Sequence, residues 1–165
     1  MADTDAISAS DARKFFSYDP ETGEVTRRLT TGTRSQAGAV VGSDDMHGYL
    51  TVRFGKRSYK IHRLAWLIAH GCWPVGDVDH INGMRSDNRL TNLRDVSRGV
   101  NLQNQRKAPN NKSTGVLGVY ADKGKFYARI SIQNKSKHLG TYATIAEASA
   151  VYVAAKRALH PGSML

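Results

Sequence analysis

The sequence predicts an α+β chain in two parts, and three observations carry that reading. Before Ile61, short runs rich in β-branched and aromatic residues alternate with turn residues, which predicts a small antiparallel sheet accompanied by helices. At Ile61 the hydrophobic period becomes helical, and a strand, loop, strand and helix follow within about 30 residues. Beyond residue 115, three strand-like runs precede one well-capped helix, predicting a three-stranded antiparallel sheet packed on that helix. The expected division is a first domain over 1–104, a linker over 105–109 and a second domain over 110–165.

Each element has a local reason. Ser10 can cap a short helix through Phe16, with Phe15 and Phe16 buried against later parts of the chain. Asp19-Pro20-Glu21-Thr22-Gly23 has turn chemistry. Extended pieces are expected at 24–28, 39–41, 49–54 and 58–61, the last two joined by Gly55-Lys56-Arg57. Ile61, Leu64, Ala65 and Ile68 then fall at i, i+3, i+4 and i+7, one stripe of a helix that Gly71 and Pro74 end. Residues 75–78 run as a strand into Asp79 and His80, and Asn82-Gly83 opens a polar loop over 83–91. A second strand is expected at 92–96, and Ser97 as the N-cap of a helix carrying Val100, Asn101 and Asn104. After a polar stretch over 105–115, strands are expected at 116–121, 125–132 and 137–142. Thr144 and Glu147 form a capping box, opening a helix that would bury Ala148, Val151, Tyr152, Ala155 and Leu159 and stop at Pro161-Gly162.

Charge is divided as unevenly as structure. The 165 residues carry a formal charge of +10. Residues 1–104 hold 14 basic and 12 acidic side chains; residues 105–165 hold 10 basic and 2 acidic. A nearly neutral part joined to a strongly basic one suits a working domain attached to a polyanion-binding one. The single cysteine, Cys72, rules out an internal disulfide and the four-ligand zinc sites that need two or more cysteines. No secretory signal and no membrane span is expected, since the longest apolar patch is Leu64 to Ala69. A cytoplasmic location is the expectation.

Asp79-His80 is the place where chemistry concentrates, with Asn92 at +12 and Asn101 at +21 from the histidine. Phosphodiester hydrolysis needs a base for water, a cation on the phosphate and help for the departing oxygen. A neutral imidazole at His80 suits the first task. Asp79 and Asn101 offer hard oxygen donors that suit Mg²⁺ while leaving sites for water and phosphate. Asn92 can brace the loop by hydrogen bonding to backbone near His80. The same residues also suit a plain turn, and spacing alone leaves both readings open.

The stretch VDHINGMRSDNRLTNLRDVSRGVNLQN, with GYLTVRF and IHRLAWLIAHGCWP before it, resembles the HNH (ββα-metal) endonucleases of phage and intron homing type over about residues 47–104. The resemblance implies a ββα-metal nuclease motif with His80 as general base and Asn92 fixing the loop. It implies Asp79 and Asn101 as ligands of Mg²⁺ or another divalent cation such as Mn²⁺, with Asn104 an alternative to Asn101. Arg63, near the start of the first long helix, would clamp a phosphate there. Arg85 and Arg89 in the loop would follow the DNA backbone.

In the second part, Phe126, Ala128, Ile130 and Ile132 share one strand face, and Lys125, Tyr127, Arg129 and Ser131 the other. A basic, aromatic sheet face can enter the major groove of duplex DNA. GVYADKGKFYARI, KHLGTY and EASAVYVAAKRAL resemble the ethylene-response-factor (Apetala-type) DNA-binding domain, with Phe126 where that family usually has Trp. That likeness implies Lys125, Tyr127 and Arg129 as DNA contacts, and Lys112, Lys123, Lys135 and Lys137 as phosphate contacts. The expected whole is a metal-dependent homing-type endonuclease that acts on duplex DNA as a monomer or weak dimer and nicks it. The alternatives are a sequence-specific DNA-binding regulator with an inactive nuclease fold, and an RNA-binding protein whose basic sheet stacks single-stranded bases.

Overall fold

The computed structural model describes residues 6–106, 108 and 113–164, and shows a mixed α+β chain of small antiparallel sheets and helices. It divides into two compact units, Met1–Val96 and Ser97–Leu165. The division falls eight residues before the expected domain end at residue 104. Among the described residues no helix is long and apolar enough to cross a membrane.

The first unit opens with α1 (Ala9–Phe15). Ser8, not Ser10, caps it: the Ser8 backbone is extended, and its hydroxyl accepts the Asp11 N–H at 3.0 Å. Phe16 ends the helix and starts β1 (Phe16–Tyr18), which pairs antiparallel with β2 (Val25–Arg27). The expected turn joins them, with Gly23 N–H on the Asp19 carbonyl at 2.9 Å. The extended piece expected at 39–41 supplies only an isolated bridge from Val40 to Thr26. A three-stranded sheet comes next, in the order β3 (Ser43–Asp44), β4 (Leu50–Phe54) and β5 (Arg57–Lys60).

α2 (Ile61–His70) is the organising element of this unit. Gly71 closes it in the left-handed conformation with φ 77°, donating its N–H to the Leu67 carbonyl. Ile61, Leu64 and Leu67 bury with Phe16, Val25 and Val52, each worth roughly 1.5–3 kcal/mol of apolar burial. Ala65 faces Val78 and Leu93 instead. One helix thus packs against the small sheets on one side and against the hairpin of β6 (Asp77–His80) and β7 (Leu93–Val96) on the other. β6 begins two residues later than expected. The Asp95 carboxylate takes the N–H groups of Val75 and Gly76 at 2.8 Å each, so those two residues are bonded from a side chain rather than along a ladder.

The second unit holds α3 (Arg98–Gln103), capped by Ser97 as the sequence predicts. β8 (Val119–Asp122), β9 (Lys125–Ile132) and β10 (Lys135–Tyr142) form an antiparallel sheet in the order β10-β9-β8, backed by α4 (Ile145–Leu159). Both halves of the Thr144–Glu147 capping box are made. Ala128 and Ile130 pack with Ala148 and Tyr152 as alternation requires. Gly118 has φ 72°, and a Cβ there would lie 2.0 Å from the Tyr152 ring, so only glycine fits. The buried stripe of α4 continues to Lys156, 1% exposed, and not to Leu159, 39% exposed. Steps of four along a helix lead from Ala148 through Tyr152 to Lys156, whose ammonium donates to the Gln105 carbonyl. α3 belongs to this unit because the chain after α4 returns to it: Gly162 N–H meets Gln103 Oε1 at 3.0 Å, and Met164 N–H meets Asn104 Oδ1 at 3.2 Å.

Candidate functional site

His80 is the last residue of β6, and the Asn82-Gly83 turn is what ends the strand there. Gly83 donates to the His80 carbonyl at 2.9 Å, and Asn82 Oδ1 takes the Met84 N–H at 2.8 Å. Successive residues of a strand face opposite ways, so Asp79 and His80 look onto different neighbours. The His80 ring meets His62 edge-on at 5.0 Å and lies 6.0 Å from Tyr49. The Asp79 carboxylate turns to its cross-strand partner Arg94, whose Nε and Nη2 both donate to Oδ2, at 2.9 and 2.7 Å. Both site residues are buried, Asp79 at 7% and His80 at 4% exposure.

Asn92 sits where the loop rejoins the hairpin and bonds its backbone twice. Its Oδ1 accepts the Asn82 N–H at 2.9 Å, and its Nδ2 donates to the Asp87 carbonyl at 2.7 Å. Asn88, which the sequence did not single out, lies against the histidine with Oδ1 at 3.2 Å from His80 Nε2. An unremarkable position in an asparagine-rich loop gives no signal for that contact.

Electrostatics favour neutral rings. Burial pushes the His80 imidazole below its ordinary value, partly opposed by the Asn88 hydrogen bond and the Asp79 charge. Burial, then repulsion from His80 and Lys60, pushes His62 down to about 3. Among the described residues the buried His62 Nδ1 has no hydrogen-bond partner, which fits a ring that is neutral near pH 7. Hydrogen bonds from Arg89 hold the Asp87 carboxyl at about 2.

The three expected DNA-binding arginines of this unit all have partners within it. Arg63 Nη1 lies 3.4 Å from the Gly76 carbonyl. Arg85 donates to the His47 carbonyl at 2.8 Å and lies 4.8 Å over the Tyr49 ring, which also carries Lys60 at 3.9 Å. Arg89 grips both oxygens of Asp87, at 2.8 and 2.6 Å. Arg85 and Arg89 are nonetheless exposed.

The remaining expected residues lie in the second unit. Asn101 is on α3, half-buried, with its N–H on the Ser97 carbonyl. Asn104 is buried, and its Oδ1 accepts the Met164 N–H, a structural use of the oxygen that a metal would need. Lys125, Tyr127 and Arg129 alternate with the inward residues of β9. Arg129 lies 4.8 Å over Tyr120, which stacks on Tyr127 at 5.3 Å, and Tyr127 meets His138 at 5.8 Å. Lys137 pairs with Ile130 and so shares the side of the inward residues rather than the aromatic side. Lys112 lies outside the described residues. Among the described residues no three His, Cys, Asp or Glu side chains gather to hold a metal.

No curated protein matches the chain. Among solved structures, one concerning DNA binding and cleavage by the HNH homing endonuclease I-HmuI overlaps with a TM-score of 0.45 at 24% identity. The overlap covers 60% of this chain and 56% of that one, so the chain spans little more than half the length of that enzyme. Residues 59–103, which hold Asp79, His80, Asn92 and Asn101, match the family model of the HNH endonucleases.

Proposed function

We propose that the protein is a metal-dependent DNA endonuclease of HNH homing type that nicks duplex DNA. The observation that carries this is His80 itself: a buried imidazole kept neutral at a strand end, beside Asp79 and under an asparagine-braced loop, within the stretch that matches the family. His80 takes the proton of an attacking water, whose oxygen displaces the 3′ oxygen from phosphorus; the departing oxygen takes a proton from solvent water, leaving 5′-phosphate and 3′-hydroxyl ends. Asn92 keeps the loop closed under His80. Asp79 and Asn101 would hold the cation, and their donor set, one carboxylate and one amide oxygen, fits a hard divalent ion such as Mg²⁺ or Mn²⁺. Such an ion, when bound, supplies charge neutralisation on the phosphate and the leaving oxygen. Arg63, Arg85 and Arg89 carry positive charge around this site. The basic module, resembling an ethylene-response-factor domain, reads DNA through Lys125, Tyr127 and Arg129, with Lys137 on phosphates. One site per chain makes a nick the product of a monomer.

A second reading, a DNA-binding regulator with an inactive nuclease fold, is favoured by one contact: Arg94 already places two N–H groups on Asp79 Oδ2. Supercoiled plasmids carrying a random insert library separate the two readings. With Mg²⁺ or Mn²⁺, wild-type protein should convert a subset to nicked circles, and His80→Ala should not. Equal and complete survival of supercoiled DNA with both proteins, while duplex binding persists, would establish the regulator.

A further inference from the structure

We infer that Asn88 is the positioning residue that sets the tautomer of His80, making Nδ1 the nitrogen that accepts the proton from water. The inference rests on the nuclease reading above for what the proton is used for, but not for the tautomer itself.

The two ends of the Asn88 amide have different neighbours. Asn88 Nδ2 lies 3.2 Å from the Ser86 carbonyl, a group that can only accept. The nitrogen end of the amide therefore faces Ser86, and the oxygen end faces His80 Nε2 at 3.2 Å. That oxygen carries no proton, so Nε2 must carry the shared one. A neutral imidazole holds one N–H, and Nδ1 is left with the lone pair.

The fold holds this amide as it would hold a working part. Asn88 is 2% exposed. Its own carbonyl accepts the Tyr18 hydroxyl at 2.8 Å, across 70 residues of sequence. The turn between β1 and β2 packs directly on it: a Cβ at Gly23 would lie 2.6 Å from the Asn88 carbonyl carbon and 2.5 Å from Arg89 N. Leu90 N–H closes on the Pro20 carbonyl at 3.0 Å. Asn88 is thus fixed from behind by the N-terminal hairpin, while Asn92 ties down the loop ahead of it at Asn82 and Asp87. When Nδ1 takes a proton, Nε2 remains a donor and Asn88 Oδ1 remains its acceptor. On the Nε2 side the contact with Asn88 is the same before and after the imidazolium forms, which is how a preorganised partner lowers a barrier.

The test uses the full chain with ¹⁵N-labelled histidine, metal-free and above the titration range of its histidines. Two-bond proton–nitrogen correlations should show His80 protonated at Nε2 in the wild type. Asn88→Ala should mix in the Nδ1–H form, and Asn88→Asp, which still presents an oxygen, should keep Nε2–H. In single-turnover nicking, Asn88→Ala should lose about tenfold to a hundredfold, part of the roughly 10²–10⁴ that a positioned acid–base group contributes. Asn88→Asp should recover most of that loss at an unchanged DNA KM. An Nδ1–H histidine in the wild type overturns the inference, and so does a folded Asn88→Ala that nicks at the wild-type rate. If the wild type never nicks but its Nε2–H form is lost in Asn88→Ala, the nuclease reading falls and the positioning role stands.

Discussion

Replacing Asn92 by alanine tests whether one side chain holds the loop beneath His80. The substitution removes two hydrogen bonds, at 2.9 Å to the Asn82 N–H and at 2.7 Å to the Asp87 carbonyl. Each is worth about 1 kcal/mol net, and the backbone groups left behind are only half-buried, so neither adds a large desolvation penalty. The bond from Asn82 Nδ2 to Asp87 Oδ2 at 2.7 Å survives and keeps the loop from opening fully. The expected loss is therefore about 2 kcal/mol, or roughly thirtyfold in the ratio of closed to open loop. Amide hydrogen exchange reads this directly: the Asn82 amide should exchange faster by that factor, while the amides of α4 in the other unit stay unchanged. Asn92→Asp keeps an acceptor for Asn82 but sets a carboxylate against the Asp87 carbonyl, so it should recover less than half. An unchanged Asn82 exchange rate in Asn92→Ala would refute the reasoning.

Two further outcomes come from burial. His62 sits at about 3 in the folded chain against an ordinary 6.5, so between those values the unfolded chain binds more protons. Stability should be undiminished above about 6.5 and fall as pH drops towards 3, by up to about 1.4 kcal/mol per pH unit from this group; the gap between urea midpoints at pH 7 and 4.5 should be smaller for His62→Leu than for the wild type, the remainder coming from His80, which burial also pushes down, and equal gaps in the two proteins would sink the claim. Gly118→Ala should destabilise the second unit by about 2–4 kcal/mol, combining the left-handed backbone with overlap against the Tyr152 ring, and a melting temperature within a degree of wild type would contradict that packing.

What the sequence disclosed was whatever its own neighbourhood determines. Thr144 with Glu147, Ser97 before α3 and Gly71 after α2 are local devices, and each appears where the sequence put it. Asp79 and His80 at a strand end were equally legible, because Asn82-Gly83 dictates the turn that ends β6. What stayed hidden depends on distant partners. The Asn88–Tyr18 bond spans 70 residues, and the Asp79–Arg94 pair exists only once the register of β6 and β7 is set. Phe16 reads as the end of a short helix, yet its pairing with Arg27 draws it into a strand. Lys156 is concealed by its type: a lysine is not expected on a buried stripe, but its stem packs and its ammonium meets a carbonyl. Lys137 faces away from Tyr127 because pairing, not composition, assigns sides, and the β10 register then shifts between His138 and Gly140.

The hairpin of β1 and β2 has a consequence for where the working piece of this chain begins. The family match starts at residue 59, while the Tyr18 hydroxyl, the Pro20 carbonyl and the bare α-carbon of Gly23 hold the loop of that segment from outside it. A fragment cut at residue 59, or one grafted onto another scaffold, would carry the letters of the motif and leave behind the splint that sets them. The heritable module is then longer than the recognisable one: residues 18 to 23 must travel with the loop they brace, although nothing in their own chemistry marks them as part of it.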